Sequence, residues 1–149
     1  MRYFLFVITA LFLLSCSTYS ENDKKQFEKE IENYIDSTGV EMQRAENGLY
    51  YNIIEEGKGQ PIRMTDQVTF YYEGQFLDGN SFQTIPKEEA LTFNVRELII
   101  GWQDALMLIG QGGEIEVIIP PHLGYGTKKT ELIPANTILK YHLKVLEVR

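Results

Sequence analysis

Val68-Thr69-Phe70-Tyr71-Tyr72-Glu73-Gly74-Gln75-Phe76 has a period of two. Successive side chains of a strand point to opposite sides, so Val68, Phe70, Tyr72, Gly74 and Phe76 share one face. Thr69, Tyr71, Glu73 and Gln75 share the other. Asp78-Gly79-Asn80 then supplies residues that tolerate a tight turn, and Phe82 follows it. A strand with one apolar face, leading into a tight turn, belongs to an antiparallel sheet. The same alternation returns three times. Leu49, Tyr51 and Ile53 alternate with Tyr50, Asn52 and Ile54; Ile115, Val117 and Ile119 alternate with Glu114, Glu116 and Ile118; and Leu139, Tyr141, Leu143 and Val145 point inward near the C-terminus. Glu56-Gly57-Lys58-Gly59 reads as a turn, and Pro120-Pro121 ends a strand because proline donates nothing to a ladder.

Two segments have a helical period instead. Leu98, Ile99, Trp102, Ala105, Leu106 and Ile109 predict a helix over 98–109, with Asn94 and Glu97 spaced as a capping box and Gly110 as the stop. Phe27, Ile31, Tyr34 and Ile35 predict a second helix from Asp23 to Ser37, charged on its remaining faces, with Asp23 and Gln26 as a capping pair and Gly39 at its end. That apolar stripe fits either packing on the domain or a dimerisation arm. The sum is an α+β architecture: an antiparallel sheet with one central helix on its apolar face and an extra helix at the N-terminus.

A chain of 149 residues with 44% hydrophobic residues can form one domain with a real core plus appendages. The net charge of −7 argues against nucleic acid as a partner and against electrostatic adhesion to anionic lipid. The single cysteine, Cys16, excludes an intrachain disulfide and a cysteine metal cage. His122 and His142 have no ligand-like spacing and read as surface or strand-face residues. Arg2 precedes an apolar run, Tyr3 to Leu14, too short to span a bilayer, which needs about 20 residues. This describes an export signal. Leu13-Leu14-Ser15-Cys16 resembles a bacterial lipobox, in which the peptide is cut before the cysteine and the thiol carries a diacylglycerol. Two acyl chains, at about 0.8 kcal/mol per buried CH₂, anchor a protein without a spanning helix. The organisation expected is a lipoprotein signal peptide over 1–15, a tether over 16–22, a helix and linker over 23–47 and a folded domain over 48–149.

Three segments of that domain resemble, in order, the FKBP-type peptidyl-prolyl cis-trans isomerases. Val68 to Gly74 with Leu77-Asp78-Gly79-Asn80-Ser81-Phe82 resembles the family's strand-turn signature. Leu98-Ile99-Ile100-Gly101-Trp102, with Leu106, Gly110 and Gly113 behind it, resembles the helix that forms the pocket floor. Ile119-Pro120-Pro121-His122-Leu123-Gly124-Tyr125-Gly126, followed by Ile133-Pro134-Ala135-Asn136-Thr137, is similar to the tyrosine-glycine loop and the last strand's approach. The single domain with its short helix and lipobox also resembles the FKBP-type lipoproteins of gliding bacteria.

The resemblance implies a fold, an FKBP-like sheet wrapped around one helix, and a function, prolyl isomerisation that assists the folding of exported or envelope proteins. It implies proline-containing polypeptides as partners, a lipid-anchored place in the cell envelope, periplasm-facing or on the outer membrane, and no metal or cofactor. It carries catalytic positions onto Tyr72, Phe82, Gln83, Trp102 and Tyr125, and substrate-binding positions onto Leu91, Leu98, Ile99, Ile133 and Tyr141. The Trp102 indole would floor the proline ring, while the Ile99 N–H and the Tyr125 hydroxyl would bond substrate carbonyls. The chain departs from the family's pattern at four places. Gln83 stands where active members usually carry aspartate, Leu91 where many carry an aromatic, and Tyr141 where phenylalanine is common; the Thr127–Glu131 loop is shorter. Gln83 donates and accepts hydrogen bonds but holds no charge, which leaves a second function open: a non-catalytic chaperone or proline-segment binding module on the same fold, within an envelope assembly.

Overall fold

Strand β3, Gln67–Phe76, is the spine of the sheet in the computed structural model, which describes residues 19–149. The expected signal peptide and the first three residues of the tether, Cys16 included, lie outside the described residues. Along β3 burial alternates, with Val68, Phe70, Tyr72 and Gly74 buried and their neighbours half-exposed, so the predicted faces are the observed ones. The other strands are β1 (Gln43–Arg44), β2 (Tyr50–Glu55), β4 (Ser81–Ile85), β5 (Leu91–Asn94), β6 (Glu114–Ile119) and β7 (Leu139–Val148). All pairings are antiparallel, in the order β1-β2-β6-β7-β3, with β4 and β5 sharing the far side of β3. Strand β1 lies before residue 48, so the sheet begins earlier than the expected domain boundary.

Helix α2, Ile100–Leu106, buries Trp102, Ala105 and Leu106 against the inward face of this sheet. It is shorter than the predicted 98–109. Leu98 and Ile99 are extended, and after Met107 the N–H groups of Leu108 and Ile109 bond three residues back, to Ala105 and Leu106, as in a tightened last turn. The apolar period therefore outlasts the helix. Asn94 and Glu97 do not cap α2 either. Their side chains bond each other at 2.9 Å, but a 3₁₀ turn over Val95–Glu97 intervenes, and α2 is capped by Ile99 with no side-chain bond. Gly110 is not the stop: its N–H donates to the Glu56 carbonyl at 2.7 Å, and a Cβ there would sit 2.6 Å from the Lys58 carbonyl oxygen. It permits two backbone segments to touch.

Helix α1, Glu21–Thr38, begins two residues before the expected start, inside the expected tether. The capping pair is Ser20 and Asp23, not Asp23 and Gln26. The Ser20 hydroxyl oxygen accepts from the Asp23 N–H, and the Asp23 carboxylate accepts from the Ser20 N–H at 2.8 Å. Gly39 closes the helix in the left-handed region, at φ 69°, as predicted. Ile31 is fully buried among Tyr50, Ile118 and Ile138, with Phe27, Tyr34 and Ile35 packed around them. The stripe thus packs on the domain. It also explains why Tyr50 and Ile118, out of phase with the inward residues of their strands, are buried: α1 covers the outer face there. His142 is exposed on that outer face, with Nε2 2.7 Å from Glu114 Oε1, and His122 is half-buried with Nε2 2.9 Å from the Asn47 carbonyl oxygen.

Candidate functional site

The inward face of β3 meets α2 and β7 in a box of aromatic rings. Trp102 stands edge-on to Tyr72 at 4.8 Å between centroids and to Tyr141 at 4.9 Å, and Tyr72 to Tyr141 at 5.9 Å. Phe82 closes another side, 5.6 Å from Tyr141 and perpendicular to it. Such edge-to-face contacts suit ring quadrupoles and stiffen each ring. Phe70 also belongs to the box, 5.2 Å from Trp102. It was missed as a site residue although it shares the alternating face with Tyr72, which was signal enough. Glycine at two positions permits close approach, of rings at Gly74 and of helix to strand at Gly101. A Cβ on Gly74 would lie 2.6 Å from Phe82 and 2.8 Å from Tyr141, and one on Gly101 would lie 2.6 Å from Ile119, where α2 crosses β6.

Phe82 and Gln83 are consecutive, yet both reach this site. Strict alternation would send them to opposite faces. The pairing of β3 with β4 slips at this point: Gly74 faces Gln83 and Gln75 faces Ser81, leaving Phe82 as the extra residue of a β-bulge. The bulge turns the Phe82 ring onto Gly74 while Gln83 keeps its inward place. Gln83 Oε1 accepts a 2.7 Å hydrogen bond from the Tyr72 hydroxyl. The neutral amide therefore satisfies a buried phenol without bringing a charge into the box.

The remaining expected residues surround these. Leu91 lies opposite Phe70 on β5, half-buried against the core. Leu98 and Ile99 form the turn into α2, which Gln103 fixes by donating to the Leu98 carbonyl at 2.7 Å and the Arg96 carbonyl at 3.2 Å. Among the described residues no acceptor takes the Ile99 N–H, while its carbonyl accepts from Trp102 and Gln103. A free donor at a helix start is ready for an outside acceptor. Ile133 is buried in the long loop before β7, and Tyr125, at the loop's start, is 37% exposed. The Trp102 Nε1–H is buried and has no hydrogen-bond partner among the described residues.

Burial dominates the electrostatics. It pushes the Tyr72 hydroxyl up to about 12, with the nearby Tyr125 adding to the effect. Tyr141 is raised further, by burial first and then by Tyr125 and Tyr72. Desolvation disfavours the phenolate, so both stay neutral across the biological pH range. None of the site residues carries a carboxylate or an amine. The site offers apolar surface, ring faces and a few neutral donors, a chemistry of binding and twisting rather than of nucleophilic attack. Among the described residues no cluster of histidine, cysteine or carboxylates could hold a metal.

Residues 58–146 match the model of the FKBP-type peptidyl-prolyl cis-trans isomerases. The chain belongs to that family. The FKBP-type peptidyl-prolyl cis-trans isomerase FkpA of Escherichia coli K12 is 34% identical over 119 residues, covering 79% of this chain and 43% of that protein. The peptidyl-prolyl cis-trans isomerase Mip of Coxiella burnetii is 33% identical over 105 residues, covering 69% and 46%. The crystal structure of E. coli FkpA superimposes with a TM-score of 0.74 at 32% identity, over 87% of this chain and 62% of that one. This chain spans about half the length of the curated relatives it matches. The FKBP-like fold expected from the three segments is the observed one.

Proposed function

We propose that this FKBP-family chain is a prolyl cis-trans isomerase acting on proline-containing segments of exported polypeptides. The observation that carries this reading is the aromatic box of Tyr72, Trp102, Tyr141 and Phe82, flanked by neutral donors. The prolyl bond rotates over a barrier of about 18–20 kcal/mol because amide resonance must break, and it exchanges unaided in tens to hundreds of seconds. The planar amide is a stronger dipole than the twisted one. Seating it on rings instead of in water therefore disfavours the ground state relative to the twisted state. In this reading the proline ring rests on Trp102, with Phe82, Leu91, Leu98 and Ile133 around it. The Ile99 N–H and the Tyr125 hydroxyl hold the flanking carbonyls, which supplies orientation. Gln83 keeps the Tyr72 phenol, and through it the wall beside Trp102 and Tyr141, in place. A thousandfold acceleration requires only about 4 kcal/mol.

The sequence around Cys16 supports a lipid anchor, which would place the domain at a membrane surface of the cell envelope. Among the described residues no helix is long and apolar enough to cross a membrane.

The test is refolding of a proline-limited substrate with purified residues 17–149. The slow phase is expected to shorten, and Trp102→Ala to remove at least nine-tenths of the effect. No acceleration at micromolar protein, with aggregation of the substrate still suppressed, would sink the isomerase and leave the chaperone. For the anchor, Cys16→Ala is expected to release the protein from membranes; retention would refute lipidation.

A further inference from the structure

One contact reaches from the start of the described chain to the edge of the site. Tyr19 is buried, and its hydroxyl donates a 2.7 Å hydrogen bond to Asn136 Oδ1 across 117 residues of sequence. Helix α1 does not need this bond to begin, because the Ser20–Asp23 capping box already satisfies its first turn. The ring of Tyr19 rests edge-on against Phe27 at 5.3 Å, and a Cβ on Gly126 would touch it at 4.0 Å. Tyr19 therefore sits between helix α1 and the loop that runs from Gly126 to Asn136.

Asn136 is where that loop closes. It holds a left-handed backbone, φ 58°, and its N–H donates to the Gly126 carbonyl at 2.8 Å. Tyr125 immediately precedes the closure and Ile133 lies within it, held by the reciprocal bonds of Thr130 and Ile133. Both residues belong to the proposed pocket. A loop whose ends meet at one backbone bond keeps its shape only as well as that junction is held. Among the described residues, it is the Asn136 side chain through which a residue distant in sequence fastens this junction.

We propose that Tyr19 is a positioning residue for the proline pocket: its bond to Asn136 pins the base of the 126–136 loop and so sets the wall formed by Tyr125 and Ile133. This rests on the isomerase reading of the pocket. The wall contacts the bound peptide in both its planar and its twisted state, so loosening it weakens binding of the two alike. The signature is a raised KM with an unchanged kcat.

The experiment uses the full chain in detergent micelles and the substitution Tyr19→Phe, which keeps the ring and its packing and removes only the hydroxyl. Trp102 is the chain's single tryptophan, so its fluorescence reports binding of a proline-containing tetrapeptide without any turnover. Losing one hydrogen bond predicts about a fivefold weaker Kd and a matching rise in KM, with kcat unmoved. Asn136→Gly, which keeps the left-handed backbone and loses the acceptor, should reproduce the loss, and the double variant should add nothing to it. Asn136→Asp, which retains an acceptor, should bind as the parent does. Amide exchange over 126–136 should quicken in Tyr19→Phe. Parental Kd and unchanged exchange in that variant would overturn the proposal, as would a fall in kcat at constant KM. If the parent binds peptide but isomerises nothing, the isomerase reading fails, and the Kd and exchange comparisons still decide the clamp.

Discussion

Gly74→Ala separates two reasons for a glycine. The backbone there does not require one, since Gly74 lies outside the left-handed region. On conformational grounds alone, alanine would stabilise by about 0.4–1 kcal/mol through a less flexible unfolded chain. The rings argue the other way. The added Cβ would lie 2.6 and 2.7 Å from two atoms of Phe82 and 2.8 Å from Tyr141. Each ring must retreat by roughly 0.7–0.9 Å to reach an ordinary carbon–carbon contact of about 3.5 Å. Tyr141 sits on β7, which is paired on both sides, by β3 and β6, so it has little room to move. Phe82 sits on a bulge and yields first. Overpacking of this kind costs about 1–3 kcal/mol. At mid-range this cost, about 2 kcal/mol, exceeds the entropic gain of about 0.7 kcal/mol, leaving the variant less stable by about 1.3 kcal/mol, or roughly 3 to 8 °C in Tm. The displaced Phe82 should also weaken peptide binding. Thermal unfolding followed through Trp102 and peptide titration measure the two effects. A Tm equal to or above the parent's, with unchanged binding, would refute the claim that aromatic convergence dictates this glycine.

Tyr72→Phe removes the 2.7 Å bond to Gln83 and should cost about 1 kcal/mol, visible as a lower urea midpoint at unchanged slope. With no carboxylate or amine in the site, isomerase activity should be flat between pH 5 and 9, and Gln83→Glu should introduce a pH dependence in that range; a sloped parent profile would contradict the reading of a neutral site. Burial raises the Tyr72 pKa to about 12, above the unfolded value of about 10, so the unfolded state loses its proton first and stability should fall as pH rises from about 10 to 12. Tyr72→Phe should flatten part of that fall. Ile31→Ala, at the fully buried centre of the α1 interface, should cost about 2–5 kcal/mol and speed amide exchange in α1 before the sheet; uniform loosening would argue against α1 as a separate layer.

The strand faces were legible because a period of two is written directly in side-chain polarity, as Val68 to Gly74 and Leu139 to Val145 show. What escaped depends on contacts that periodicity does not encode. The bulge that brings Phe82 beside Gln83 is a slip of register, and register is a property of two strands together. Gly110 read as a helix stop because glycine commonly ends helices; its actual role is set by the Glu56–Lys58 backbone, far away in sequence. Asn94 and Glu97 have capping spacing and do bond, but the extended Leu98 and Ile99 put the helix start beyond their reach. Burial of Tyr50 and Ile118 made sense only with α1 in place. Tyr72, Phe82, Trp102 and Tyr141 were readable residue by residue and Phe70 by its shared face; the hydrogen bonds of Gln103 to the Leu98 and Arg96 carbonyls and of Tyr19 to Asn136 were not.

The way the sheet ends has a consequence for a protein proposed to meet unfolded chains. An open strand edge is a template onto which an extended polypeptide can add. Here one edge is β1, only two residues long, and the rest of β2 breaks register between Ile53 and Glu55 and leads into Glu56. The other edge is divided between β4, five residues, and β5, four, separated by Pro86 and a helical turn. Neither side offers a long, flat row of unpaired amides. On the proposed function, client chains are thereby refused as extra strands, and the aromatic box is the place where they would be held.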